Sequence, residues 1–331
     1  MPGWAMAVMG VTALFFMFVF MSLNYSLGHV IFTLAQVETP LNDLTIHVSS
    51  ANDDPDAPVE KDNLLDVEEA VVKVKPITSK IRTTMRHITS VGGFAARWRG
   101  LRLGLLYTFA FGIISNVCMA IIPFPPLASA LAAIVTVPIH CAWTHATIAM
   151  PSNKGIRERV AFKDTFKKLW APAVMKAAAI DTSLFIMIVA FSLRNAFHIR
   201  SLPVWVEITH GVLSVALAIF LSLFVIVPAT AAFTRVEASL LPDDDEVIVP
   251  FDRTLGGFLA PAIYGNNNGF QIMKAALKSF DNEARRRIAK TLVKIVLIFV
   301  AVMIFMVQIL AFELWILPGN AVEKIGHAYK S

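Results

Sequence analysis

Long apolar runs alternate with polar, charge-bearing stretches along the chain, and the runs set the architecture. Six of them reach the roughly 20 residues that an α-helix needs to cross a hydrocarbon core. They are Trp4 to Leu23, Leu103 to Ile122, Leu127 to Met150, Pro172 to Leu193, Val206 to Phe233 and Leu292 to Leu317. In three of the stretches between them, apolar residues recur at helical spacing. Ile77 to Arg97, Val160 to Trp170 and Phe270 to Lys290 are therefore expected to be helices lying on the membrane surface. Glu38 to Glu69 behaves differently: it is acidic and polar, carries Pro55 and Pro58, and reads as a disordered insertion. The pattern predicts an all-α polytopic membrane protein with six transmembrane helices. Met1 to Leu23 has neither a basic leader nor a small-residue cleavage pattern after it, so it is read as the first span.

The ends of the odd runs resemble one another. Val137 to Thr147 reads VPIHCAWTHAT and Val227 to Glu237 reads VPATAAFTRVE. Pro138 and Pro228 are each followed five places on by an aromatic, Trp143 and Phe233, and six places on by a threonine, Thr144 and Thr234. Leu27 to Gln36, LGHVIFTLAQ, fits the same template with leucine in the proline position, Phe32 as the aromatic and Thr33 as the threonine. Two places after the proline position stand His29, His140 and Thr230. Downstream, AFKDT at Ala161 and PFDRT at Pro250 also align. Such self-similarity divides the chain into repeat one (1–122, with the insertion at 38–69), repeat two (123–195), repeat three (204–318) and a tail (319–331).

Composition and charge add orientation and exclude several chemistries. Hydrophobic residues make up 56% of the chain and charged ones 16%, with a mean hydropathy of +0.64, outside the range of soluble domains. The connections Glu38 to Arg102, Met150 to Lys176 and Arg235 to Lys294 hold nine, seven and nine of the 29 lysines and arginines. They alternate with short connections, so all three share one side, which the positive-inside rule makes the cytosol or the mitochondrial matrix. These basic residues lie beside membrane spans and call for lipid rather than nucleic acid as a partner. Cys118 and Cys141 both sit in apolar runs, where a buried structural thiol is the expected role. His140 and His145 fall about 140° apart on a helix, and no third ligand accompanies them, so neither a metal site nor thiol catalysis is expected. Asp243 to Glu246 lacks the alternating ligands and glycine of a calcium loop and reads as a solvated charge run. No phosphate-cradling loop is present, and no cofactor or enzymatic activity is implied.

Three repeats, each a span, a basic connection with a surface helix and a second span, resemble the mitochondrial carrier family over nearly the whole chain. In that family the odd spans end in a proline, an acidic residue two places on and a basic residue five places on, often followed by threonine and arginine, with a glutamine beyond. The frame is similar here in Pro138, Thr144, Pro228, Thr234, Arg235, Thr33 and Gln36. The charged positions differ: His29, His140 and Thr230 replace the acids, and Phe32, Trp143 and Phe233 replace the bases. RWRGL at Arg97 resembles the lead into the even spans, and FELW at Phe312 keeps the aromatic and acidic half of the opposite gate. A ring of aromatics with two histidines is expected to close the bundle by packing instead of by ion pairs.

The resemblance implies a transporter of a small solute in a mitochondrial membrane. Polar residues on the even spans are then the expected cavity: Asn116, Lys176, Asp181, Thr182, Ser183 and Gln308. Lys176 and Asp181 are five residues apart and are expected to pair or to reach the interface. The resemblance also admits a second reading, since relatives with degenerate gates in the outer membrane act as adaptors or insertases. In that reading the acidic 38–69 segment is the place for a protein partner.

Overall fold

The computed structural model describes residues 3–39, 76–196, 204–254, 257 and 269–316. Most of the 38–69 insertion and the 319–331 tail lie outside these residues. The protein is an all-α polytopic membrane protein. Six helices are long and apolar enough to cross a membrane: Gly3–Val37, Phe94–Ile121, Pro125–Ile148, Phe162–Ser192, Trp205–Ser239 and Asn282–Trp315. They are called spans one to six below. Among the described residues the sheet-like structure is one antiparallel bridge, between Ala149 and Val247.

Span three is central: half of its most apolar window is buried (50%), against 6–11% in the other five. Those five turn large apolar residues outward, among them Phe18, Phe109, Phe185, Phe224 and Leu297. In lipid this exposure carries no penalty, and helices associate through close packing and internal hydrogen bonds. Burial in spans one and five concentrates in their last turns, from Leu27 to Glu38 and from Ala231 to Ala238, where they meet span three.

Each odd span has an interrupted backbone where it reaches this contact. Span one passes through π-helical turns at Asn24–Ile31, which contain Leu27 and His29. Span three carries Pro138 inside its helix. Span five combines π-helical turns at Ser222–Ile226 with Pro228 in the first turn of the helix that follows. Proline removes a backbone donor and π turns displace the ladder, so three different devices loosen the i to i−4 pattern at one level.

Small residues let span two lie close on span three. A Cβ on Gly104 would stand 2.8 Å from Cε2 of Trp143, and Gly100, which has φ of +70°, sits beside the same indole and Thr147. The Trp143 Nε1 donates to the Tyr25 hydroxyl at 3.0 Å, and that hydroxyl donates to the Arg99 carbonyl at 2.6 Å. One indole therefore joins spans one, two and three.

Several expected elements differ. Val160 to Trp170 is not a separate surface helix: Phe162 onward runs without a break into span four, through Pro172. Ala171, Pro172 and Ala173 are buried there, and Gly269 of the Gly269–Lys278 helix packs on Ala171. The reverse holds for Phe270 to Lys290, which is broken after Lys278. The Asp281 carboxylate accepts the Ala284 N–H at 2.7 Å and starts a new helix that becomes span six. The surface helix of the first connection is Ile81–Gly92, followed by a 3₁₀ segment at Phe94–Trp98.

The acidic run is not a freely solvated one. Asp244 and Asp245 hold Lys154 at 2.5 and 2.8 Å, Asp243 meets Arg253 at 2.9 Å, and Asp245 is buried. Ile248 N–H donates to the Ile148 carbonyl at 2.9 Å, so the run folds back on the end of span three. The hydrogen bond from the Lys154 ammonium holds the Asp244 carboxyl below its ordinary value. Glu38 at the end of span one is also buried. Its carboxylate accepts the N–H of Ile77 at 2.7 Å and of Thr78 at 3.0 Å, which ties the end of span one to the start of the segment that leads into the Ile81–Gly92 helix.

The close approach at Gly104 predicts a position-specific cost. Gly104→Ala should destabilise the protein by about 1–3 kcal/mol through overpacking. Gly112→Ala, in the same helix with nothing within 4 Å of its Cβ position, should be neutral or slightly stabilising. Thermal unfolding in detergent followed by tryptophan fluorescence reads the difference, and equal melting temperatures for the two variants would refute the packing account.

Candidate functional site

The last turns of span three place His140, Trp143, Thr144 and Thr147 at i, i+3, i+4 and i+7, on one face of the helix. That face meets spans one and five. His140 Nδ1 lies 2.6 Å from Oε1 of Glu237, and the Thr144 hydroxyl donates to Oε2 at 2.6 Å. Glu237 is fully buried, at 0% exposure. On the other side of the imidazole, Lys176 Nζ is 2.9 Å from His140 Nε2 and 4.7 Å from the centroid of Phe233. One arrangement of protons that satisfies every bond has an ammonium donating to Nε2 and Nδ1–H donating to a carboxylate, in the row Lys176⁺, neutral His140, Glu237⁻.

The same relation recurs one span back. His29 Nε2 is 3.2 Å from the Thr147 hydroxyl, which spends its own proton on the Trp143 carbonyl at 2.9 Å, so His29 is the donor. The His29 ring stacks on Trp143 at 3.8 Å between centroids, and the His140 ring tilts against Phe233 at 5.1 Å. Counting from the template proline, the residue at place two of one copy thus meets places five and nine of the next copy, twice. Thr230 holds place two of the third copy and departs from this. Its hydroxyl returns to the carbonyls of Ile226 and Val227, at 2.9 and 3.0 Å. Its counterparts Phe32 and Gln36 share with it the lining of a cavity of about 270 Å³. That cavity also presents His29, His140 and Lys176, Thr33, Thr144 and Thr234, and among the described residues no carboxylate lines it.

Below the cavity the polar groups are structural. Arg235, 1% exposed, donates from Nε to the Gln36 carbonyl at 2.9 Å and from Nη1 to the Ser279 carbonyl at 3.0 Å, with its guanidinium 3.7 Å over the Phe280 ring. His145 faces the carbonyls of Glu237 at 2.8 Å and of Arg159 at 3.0 Å. Cys141 Sγ is 3.4 Å from His145 Nε2 and is wholly buried, so the thiol is packed against the ring with no approach for a substrate.

The expected solute residues do not assemble. Lys176 alone among them lines the cavity. Asn116 is exposed on span two and bonds the Gly112 carbonyl at 2.8 Å. Thr182 and Gln308 are exposed, and Ser183 turns back to the Ala179 carbonyl at 2.7 Å. Asp181 accepts the Ser129 hydroxyl instead of pairing with Lys176, because the five-residue separation carries it round the helix from the face that meets His140. Glu313 of the FELW segment accepts the Thr12 hydroxyl of span one. Of the prolines, Pro138 is buried in span three, and Pro228 faces an apolar groove beside Phe224 and Leu277.

The aromatics and histidines do not stand alone where the spans converge. Glu237 adds a carboxylate there from place nine of the third copy. Reading the template two or three places further would have found it, because place seven holds Leu34, His145 and Arg235, and place nine holds Gln36, Thr147 and Glu237. Among the described residues no group of three or more His, Cys, Asp or Glu is arranged to hold a metal ion.

Fold and site together define a polytopic helical membrane protein with a row of ionisable side chains, two of them buried, where three spans meet. Compared with family models, curated proteins and solved structures, the chain matches none.

The row makes a stability prediction. Glu237→Leu leaves Lys176 uncompensated in a low-dielectric setting and should cost about 3–5 kcal/mol. Adding Lys176→Met should recover part of that loss, because no charge is then left unpaired. Unfolding of the single and double variants in detergent measures the coupling; strictly additive losses would show that the two charges do not sense each other.

Proposed function

We propose that the protein is a carrier-type transporter that moves a small solute through the cavity at the convergence of spans one, three and five, in a mitochondrial membrane. The observation that carries this reading is the Lys176–His140–Glu237 row at the edge of that cavity, buried at His140 and Glu237 and half-buried at Lys176. Ionisable groups inside a membrane bundle are costly and mark solute or ion pathways. The recurrence of the His29 and His140 contacts at the same template places supports a threefold arrangement, in which closure of one end is shared among the odd spans. Here closure combines stacked rings with one acid–base pair, so opening separates Trp143 from His29 and Phe233 from His140.

Two measurements test this. In a chain with Cys118 and Cys141 replaced by serine and alanine, Thr33→Cys reports access to the cavity. Trp143→Ala with Phe233→Ala should raise its labelling by a hydrophilic maleimide several-fold, and unchanged labelling would remove the gate. Protease protection of a C-terminally tagged chain in isolated mitochondria sets the membrane. Tag cleavage only after outer-membrane rupture is the expected result; cleavage in intact mitochondria would favour the adaptor or insertase reading, and absence from mitochondria would end the mitochondrial assignment.

A further inference from the structure

We infer that the central cavity binds a small monovalent anion and that each anion enters together with one proton. This deepens the transport reading, on which it rests for the purpose of the site, and it follows from the charges around the cavity. Among the described residues the lining holds one lysine, Lys176, two imidazoles and no carboxylate. Such a wall attracts an anion and disfavours a cation. A single ammonium matches one negative charge, and the volume of about 270 Å³, less than twice the roughly 150 Å³ that takes up a benzene, suits a small guest.

Proton uptake follows from charge balance. At rest the row is neutral overall: Lys176⁺ donates to His140 Nε2, and His140 Nδ1–H donates to Glu237⁻. An anion that takes the ammonium for itself leaves Nε2 without its donor and Glu237 without its compensating charge. The row would then carry a net negative charge in a low-dielectric bundle, which is costly. A proton from water added at the vacated Nε2 lone pair converts His140 to imidazolium. Its Nδ1–H still donates to Glu237, and the site holds Lys176⁺ with the anion and His140⁺ with Glu237⁻. No bond to carbon changes, and one anion and one proton have entered.

The groups facing His140 from each neighbouring element fit this role. Span four offers Lys176, span five Glu237, span two the Tyr107 ring at 4.8 Å, and span one His29 across the cavity. Span six contributes the apolar Leu292 to the lining. Thr144, which braces Glu237 at 2.6 Å, keeps the carboxylate turned toward the imidazole.

The test uses the full chain in nanodiscs in weakly buffered solution with a pH indicator, with lactate, formate and nitrate as probes and glucose and choline as controls. At least one monoanion should bind saturably and draw about one proton per protein, while the controls draw none. Lys176→Met should abolish binding, and Lys176→Arg, which keeps the charge, should retain it. His140→Asn should bind at least tenfold more weakly without proton uptake, whereas His29→Asn keeps the uptake. Saturable anion binding with no proton uptake, uptake that survives in His140→Asn, or selective binding of the neutral or cationic control would each overturn the inference, as would failure of every monoanion to bind. Flux into proteoliposomes separates it from the reading beneath: proton-linked binding without flux removes transport and leaves this site standing, and flux of a non-anionic solute does the reverse.

Discussion

A fully buried carboxylate, Glu237, constrains the rest of the bundle. Enclosed by protein, such a group must find its partners within the bundle, and it finds His140 and Thr144 on span three and, through the imidazole, Lys176 on span four. Its own backbone carbonyl takes His145. Four polar contacts therefore hold spans three, four and five in one register, and with lipid as solvent such contacts do much of what apolar burial does in water. Span three is the central helix because its last turns carry the residues that answer this demand.

Around that centre the packing is of small residues against rings. Gly104 admits the Trp143 indole, the indole holds His29, and Tyr25 joins it to the start of span two. Arg235 does a comparable task at the base, tying span one to span five and to the turn that starts span six. The connection end is thus tightly organised, while the outward faces of the spans remain broad and apolar. The groups that meet at the connection end are few, specific and partly ionisable.

The interrupted helices explain how the odd spans reach this meeting point. Pro138 and Pro228 were visible as backbone breaks from the sequence, but Leu27 was not, and span one uses π-helical turns in its place. The template fitted all three copies in residue type while the backbone solved the same local problem in three ways. Where the copies differ in chemistry they also differ in contacts: His29 and His140 reach the next span, and the Thr230 hydroxyl turns back on the carbonyls of its own helix.

The apolar runs by themselves determined the number of spans, since lengths of about 20 residues have one stable form in hydrocarbon, and the repeat template pointed to His29, Trp143, His140 and Phe233, residues that do meet. Boundaries outside the membrane were less legible. Val160 to Trp170 merged with span four and Phe270 to Lys290 split at Asp281, because packing under Gly269 and a capping carboxylate outweighed periodicity. The composition of the site was decided by tertiary structure. Polar residues on even spans all look alike in sequence, and only the rotation of each helix sets Lys176 against His140 while Asn116, Thr182 and Gln308 face outward. Glu237 reads as one more charge at the end of a span until the fold encloses it, and it is this enclosure between His140 and Thr144 that turns it into half of an acid–base pair.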